Sequence, residues 1–240
     1  MTSTLGITNN PFAQILITVN LTHALATRVA ATYSTVPRPP FLVGICGWAD
    51  TGKSTLASSL CASLDRMGVG AAWLSTDAFL KSRSERNALG HTGYNSLSID
   101  GTAMRDAVVS ILNRQDFTYH PYENRTGCSA VDATTLSPQL VIVIEGIHAF
   151  HPAISKALHL RVFIDADEST LRAMRVRANV SKRGMSATDS HARVDKEMED
   201  YRAFTLPLKS QADLVVEVNT EFEYSVPPGG GDASQETPDN

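Results

Sequence analysis

The chain has 240 residues, 42% hydrophobic and 19% charged, which excludes a disordered polypeptide and suits one α/β domain with a sizeable core. A formal net charge of −4 gives no global electrostatic case for nucleic acid or an anionic membrane surface as partner. Cys46, Cys61 and Cys128 form neither a metal-ligand spacing nor a paired framework, and reduced thiols fit a cytoplasmic protein.

Residues 1–11 lack the basic and apolar regions of a signal peptide, and no apolar run is long enough to span a bilayer. Residues 1–40 read as an N-terminal helical extension with a packing role. Asn10-Pro11 has the cap-then-proline pattern of a helix start, and Ile15, Val19, Thr22, Ala26 and Val29 recur at helical spacing. The stretch 15–19 also reads as a strand. Pro37, Pro39 and Pro40 end the element and force an extended approach to residue 41.

From 41 to 226, strand and helix signals alternate. Residues 41–46 are a short apolar run ending at Gly47. Residues 53–67 have helical periodicity through Leu56, Leu60 and Leu64, closed by Gly68 and Gly70. A second strand is predicted at 71–75, and Asp100 caps a helix running to about Asn113. Residues 140–144 form an uninterrupted apolar run, as in a strand covered on both faces, and 160–164 and 214–218 are similar. The alternation predicts an α/β fold in three layers: a mostly parallel sheet flanked by helices, with right-handed crossovers. Residues 227–240, rich in Pro, Gly and acidic or small polar residues, are predicted to be a disordered tail.

Gly47-Trp48-Ala49-Asp50-Thr51-Gly52-Lys53-Ser54 matches the P-loop pattern G-x-x-x-x-G-K-[ST] in full, with an apolar strand before it and an amphipathic helix after it. Glycine lets such a loop turn tightly and bring backbone N–H groups against phosphate oxygens, while the helix points its positive end at the same anion. The segment through Thr55 is therefore the expected ATP cradle. Lys53 places a charge on the β- and γ-phosphates, and the Ser54 hydroxyl is a magnesium ligand. Asp50 puts an acid near the phosphates, which weakens binding unless its side chain turns away or touches the metal.

Glu145 ends the strand 140–144, where an acid beside a P-loop can hold magnesium through a water; the other reading is a helix cap. Asp77 follows the strand 71–75. Strand carboxyl ends line the ligand crevice of such folds, so Asp77 can accept the proton of an attacking hydroxyl; the alternative is a turn aspartate. The seven histidines show no zinc spacing, and His148 either lines the crevice or packs.

Several stretches in order resemble the uridine kinase branch of the P-loop kinases, which also includes phosphoribulokinase and bacterial pantothenate kinase. They are Gly44-Ile45-Cys46-Gly47, Leu74-Ser75-Thr76-Asp77-Ala78-Phe79, Pro121-Tyr122-Glu123, Ile144-Glu145-Gly146-Ile147-His148, Arg161-Val162-Phe163-Ile164-Asp165, Lys182-Arg183-Gly184 and Phe204-Thr205-Leu206-Pro207. The resemblance covers about residues 41–219. It implies ATP-dependent transfer of a phosphoryl group to a hydroxyl, with Asp77 as base and Glu145 organising magnesium and acceptor. It also implies a helical lid over the phosphates, about 172–190, carrying Arg172, Arg175, Arg177 and Arg183. Of these, Arg175 is expected on the nucleotide, and Arg177 and Arg183 on the transferring group. Phe79, Asn95, Tyr122 and His148 fall on the acceptor side. There the chain departs from uridine kinases: Asn95 stands where they carry an acid for the ribose diol, Leu80 replaces a tyrosine, and the uracil-reading histidine has no counterpart. A nucleoside-like acceptor, including a nucleoside antibiotic, comes first, ahead of other sugars or hydroxy acids; the alternative class is a non-catalytic, nucleotide-dependent regulatory P-loop protein. By analogy with family relatives, a homo-oligomer is the expectation.

Overall fold

The structure, a computed structural model, describes residues 11–35 and 40–227, with side chains from Leu21 onward. Its strands are β1 (Phe41–Gly47), β2 (Ala71–Ser75), β3 (Phe117–Tyr119), β4 (Tyr122–Glu123), β5 (Cys128–Ser129), β6 (Thr134–Leu136), β7 (Val141–Glu145), β8 (Leu160–Asp165), β9 (Leu214–Val218) and β10 (Tyr224–Ser225). Its α-helices are α1 (Pro11–Tyr33), α2 (Lys53–Arg66), α3 (Arg83–Ala88), α4 (Gly101–Leu112), α5 (Glu168–Arg183) and α6 (Ala187–Asp200).

β1 is buried along its whole length, and its alternation decides the layering. Phe41, Val43 and Ile45 enter one core with Leu56, Leu60 and Leu64 of α2 and with Leu25, Ala26 and Val29 of α1. Leu42 and Cys46 enter a second core on the other face, with Met104 and Ile111 of α4 and with Phe150 and Phe163. β7 repeats the pattern, sending Val141 and Val143 one way and Ile142 and Ile144 the other. The result is the expected three-layer α/β architecture: a six-stranded sheet in the order β10-β9-β8-β1-β7-β2, parallel except for β10 against β9.

Residues 15–19 lie within helix α1, so the strand reading of that stretch is not realised. Asn10, Pro37, Pro39 and the tail 228–240 lie outside the described residues. Among the described residues, no helix is long and apolar enough to cross a membrane. The antiparallel pairs β3–β6 and β4–β5 and the strand β10 are not among the elements that the sequence pattern predicts. Each of these strands has only two or three residues, too few to show a period of two.

Leu60 is fully buried between α2 and the sheet. Leu60→Ala is expected to lower unfolding free energy by about 2–5 kcal/mol through the cavity it leaves, read from urea denaturation with far-UV circular dichroism.

Candidate active site

The site starts from strand register. Ile45 of β1 and Ser75 of β2 both sit level with Glu145 of β7, so three carboxyl ends finish side by side. β1 runs into the P-loop, and β2 runs into a single turn, Thr76–Phe79, that carries Asp77. The P-loop, Asp77 and Glu145 therefore open onto one cleft of about 490 Å³. Gly52 (φ 86°) makes the loop's last turn, and α2 begins at the next residue with its free N–H groups toward the cleft. A side chain at Gly52 would also strike the hydroxyl of Tyr224, which donates to Thr51 O at 3.0 Å and pins β10 on the loop.

Four groups with chemistry meet here. Ser54 Oγ donates to Glu145 Oε1 at 3.0 Å, with Ser54 exposed at the cleft mouth and Glu145 buried. Lys53 is buried, and its ammonium donates to the Trp48 carbonyl. Burial lowers the Lys53 pKa, against the pull of Glu145, Cys46, Asp77 and Asp50. Burial likewise raises the carboxyls of Asp77 and Glu145, and Lys53 opposes it in both. The Asp77 carboxylate is half-buried and accepts no hydrogen bond from another described residue, which leaves it free to take a proton.

The Asp50 carboxylate, at the cleft, is taken up by arginines of α5. Its Oδ2 accepts from Arg175 Nη1 at 2.6 Å and from Arg183 Nη1 at 3.2 Å. Arg175 is buried and uses Nε and Nη2 as a fork on Glu197 of α6, both bonds at 2.7 Å; Glu197 also accepts from Arg193 at 2.8 Å. Burial alone would raise the Asp50 carboxyl, but Arg175 and Arg183 outweigh it and hold the group below its ordinary range.

Ala49, Asp50, Gly52, Lys53, Ser54, Thr55, Asp77, Tyr122, Glu145, Arg175 and Arg183 all line the cleft, as do Arg83, Arg86, Phe222 and Tyr224, which no sequence motif marks. Gly47 lies at the base of the P-loop, where a β-carbon would sit 2.2 Å from the Ile164 carbonyl, and Thr51 is buried with its hydroxyl on Trp48 O at 2.8 Å.

Besides Gly47 and Thr51, five assigned residues do not line the cleft. Trp48 is fully buried, stacked on Tyr94 at 4.5 Å and edge-on to Tyr201 at 4.9 Å, so it anchors the loop from beneath. Phe79 belongs to the core beside Phe117. Asn95 spends its carboxamide oxygen on the Leu97 N–H, capping a turn. His148 is buried, held neutral by a pKa lowered to about 4, and donates from Nε2 to the Gly93 carbonyl at 2.8 Å. Arg177 points from the opposite side of α5, donating to Thr220 O at 2.6 Å and covering the Phe222 ring. Glu197 was legible as a partner of Arg193 four residues earlier on one helix; nothing local flags Tyr94 or Tyr224.

The sequence profile of the Phosphoribulokinase / Uridine kinase family matches residues 42–224. A uridine kinase of Deinococcus deserti is 24% identical over 185 residues, covering 74% of this chain and 87% of that protein. Uridine kinase-like protein 4 of Arabidopsis thaliana is also 24% identical over 75% of this chain, which spans only 39% of that longer protein. Among solved structures, D-glycerate 3-kinase from Cryptococcus neoformans superposes with a TM-score of 0.67 at 16% identity, over 87% of this chain and 98% of that one. Phosphoribulokinase from Rhodobacter spheroides gives 0.57 at 17% identity, over 74% and 69%. At these identities the structural likeness establishes the fold.

Asp50→Ala leaves Arg175 with one acid instead of two. It is expected to cost about 3 kcal/mol of unfolding free energy, because a buried ion network loses one partner. The loss is read from denaturant midpoints. The Asp50 carboxyl is depressed in the fold, so its contribution is present in full above ~3.9 and disappears as pH falls through the lower folded value. The difference between wild type and variant is therefore constant near neutrality and shrinks only in strong acid.

Proposed function

The chain belongs to the phosphoribulokinase/uridine kinase family, and on that premise we propose that it moves the γ-phosphoryl group of ATP onto a hydroxyl of a small molecule. The acceptor class ranked first is a nucleoside or nucleoside-like natural product, nucleoside antibiotics included. The observation that carries this reading is the convergence of Lys53, Ser54, Asp77 and Glu145 on one cleft at the carboxyl ends of β1, β2 and β7.

The residues present fit magnesium. Ser54 Oγ and the Glu145 carboxylate are hard oxygens 3.0 Å apart, and magnesium takes one or two protein oxygens and completes its shell with waters and phosphates. When bound, the ion would neutralise charge on the β- and γ-phosphates. The rest is the work of side chains. Lys53 swings from the Trp48 carbonyl onto the phosphates, a better acceptor for a buried ammonium. Arg183, held to Asp50 through one amino group, keeps other donors for the transferring oxygens. Asp77 orients the acceptor hydroxyl and takes its proton as the oxygen attacks the phosphorus in line. The lid, about 172–190, takes in most of α5 and the start of α6, and its closing over the phosphates would exclude water. Free Cys46, Cys61 and exposed Cys128 favour a reducing, cytoplasmic setting.

The test is ADP release from the purified chain with Mg-ATP against uridine, cytidine, adenosine, free sugars, hydroxy acids and nucleoside antibiotics. Lys53→Ala is expected to abolish acceptor-stimulated release; wild-type turnover by that variant would sink the assignment. Asp77→Asn is expected to lower transfer by ~10²–10⁴-fold while ATP binding stays nearly unchanged. Because burial raises the Asp77 carboxyl, the acid limb of the rate profile lies above ~3.9, with activity falling as pH drops through it. The same shift makes ionised Asp77 a cost to stability at neutral pH, relieved as pH falls. Asp77→Asn should therefore raise the unfolding midpoint at pH 7 even as it stops transfer.

A further inference from the structure

Arg83 and Arg86 line the same cleft as Asp77, on the side of the β4–β5 turn. They are three residues apart on α3, so they share a face. A capping box fixes that face: Ser82 Oγ accepts from Glu85 N at 3.2 Å, and the Glu85 carboxylate accepts from Ser82 N at 2.9 Å. Arg83 is strapped down by the Asn124 carbonyl and packs on the turn at Gly127. Arg86 is 8% exposed, donating from Nε to Lys81 O at 3.1 Å and from Nη2 to the Tyr122 hydroxyl at 2.5 Å.

Those partners are dipoles. Neither guanidinium has a carboxylate within 4.0 Å among the described residues, whereas Arg172, Arg175, Arg183, Arg193 and Arg202 are all ion-paired. The other acids of the cleft are committed. Asp50 and Glu197 hold arginines, and Glu145 holds Ser54. A buried cation without an ion-pair partner is costly, and buried Arg86, with half-buried Arg83 beside it and Asp77 nearby, makes a site suited to negative charge.

We propose that the acceptor carries, besides its hydroxyl, an anionic group, a carboxylate or a phosphate, held by the paired guanidiniums of Arg83 and Arg86. This rests on the kinase reading above. Both anions match the planar fork of arginine, and anchoring one at α3 leaves a hydroxyl on the same molecule to face Asp77. The acceptor class is thus an acidic sugar, hydroxy acid or nucleoside acid, or a phosphorylated sugar.

Two measurements on the full chain test it. First, ADP release is followed with matched acceptors: glycerol, D-glycerate and glycerol 3-phosphate, then ribose, ribonate and ribose 5-phosphate, beside uridine. Second, the same compounds are titrated calorimetrically into protein loaded with magnesium and a non-hydrolysable ATP analogue, so that the P-loop is already filled. The expected result is that anionic members bind and their neutral counterparts do not. Arg86→Met and the less buried Arg83→Gln should each weaken the anion by about 10- to 100-fold while analogue affinity holds. The better of carboxylate and phosphate identifies the anion. A neutral acceptor turned over as well as its anionic partners overturns the proposal and leaves the kinase reading intact. Anion binding that needs Arg83 and Arg86, without ADP release from any acceptor, upholds the site and removes the kinase reading. No anion binding to the loaded protein, or equal loss of anionic and neutral ligands in the Arg83 variant, overturns it in favour of a purely structural role.

Discussion

Arg175 is the point through which the halves of this site are tied together. Its guanidinium reaches back from α5 to Asp50 on the P-loop and sideways to Glu197 on α6, and all three groups are largely buried. Charges taken out of water in this way are tolerable only when every partner is present and well oriented. That requirement explains a local oddity: Asp50 sits at φ 60°, in the left-handed region where aspartate is one of the few side chains tolerated. Trp48 and Tyr94 stack beneath the loop at 4.5 Å, and the Tyr94 hydroxyl accepts the Ala49 N–H at 2.9 Å. The P-loop is held from below by aromatic packing and from the side by an ion network.

Much of this was readable from residue pattern. The fully buried strands announced themselves because a parallel strand covered on both faces carries no polar residue to break the run. The P-loop, Asp77 and Glu145 were placed correctly relative to those strands because strand ends in such a sheet converge by topology alone. The acceptor side was harder. Phe79 and His148 follow motif positions faithfully, yet tertiary packing turns the ring into core and ties the imidazole to the Gly93 carbonyl. Arg177 belongs to the same helix as Arg175, but two residues along a helix point about 200° apart, so only one can face the cleft. Arg86 escaped notice for the opposite reason: a lone arginine looks solvated until the fold buries it.

The cleft divides electrostatically. On the P-loop side, acids and bases are interleaved, so arginines are oriented without flooding the site with charge. On the side of the β4–β5 turn, Arg83 and Arg86 have no carboxylate within 4.0 Å among the described residues. Asp77 lies between these regions, and burial raises its carboxyl while Lys53 and then Arg86 draw it down. The same aspartate thus feels charge from both regions of the cleft.

The hydroxyl of Tyr224 on the Thr51 carbonyl joins residues 173 positions apart in the chain. During synthesis, the amino-terminal core of α2, β1 and β2 emerges long before that tyrosine does. Its loop must then wait, built in sequence but unfastened in space. The P-loop is among the first segments made, yet its contact with Tyr224 closes a loop of 173 positions. A growing chain therefore carries the P-loop motif well before the tyrosine that fastens it is made.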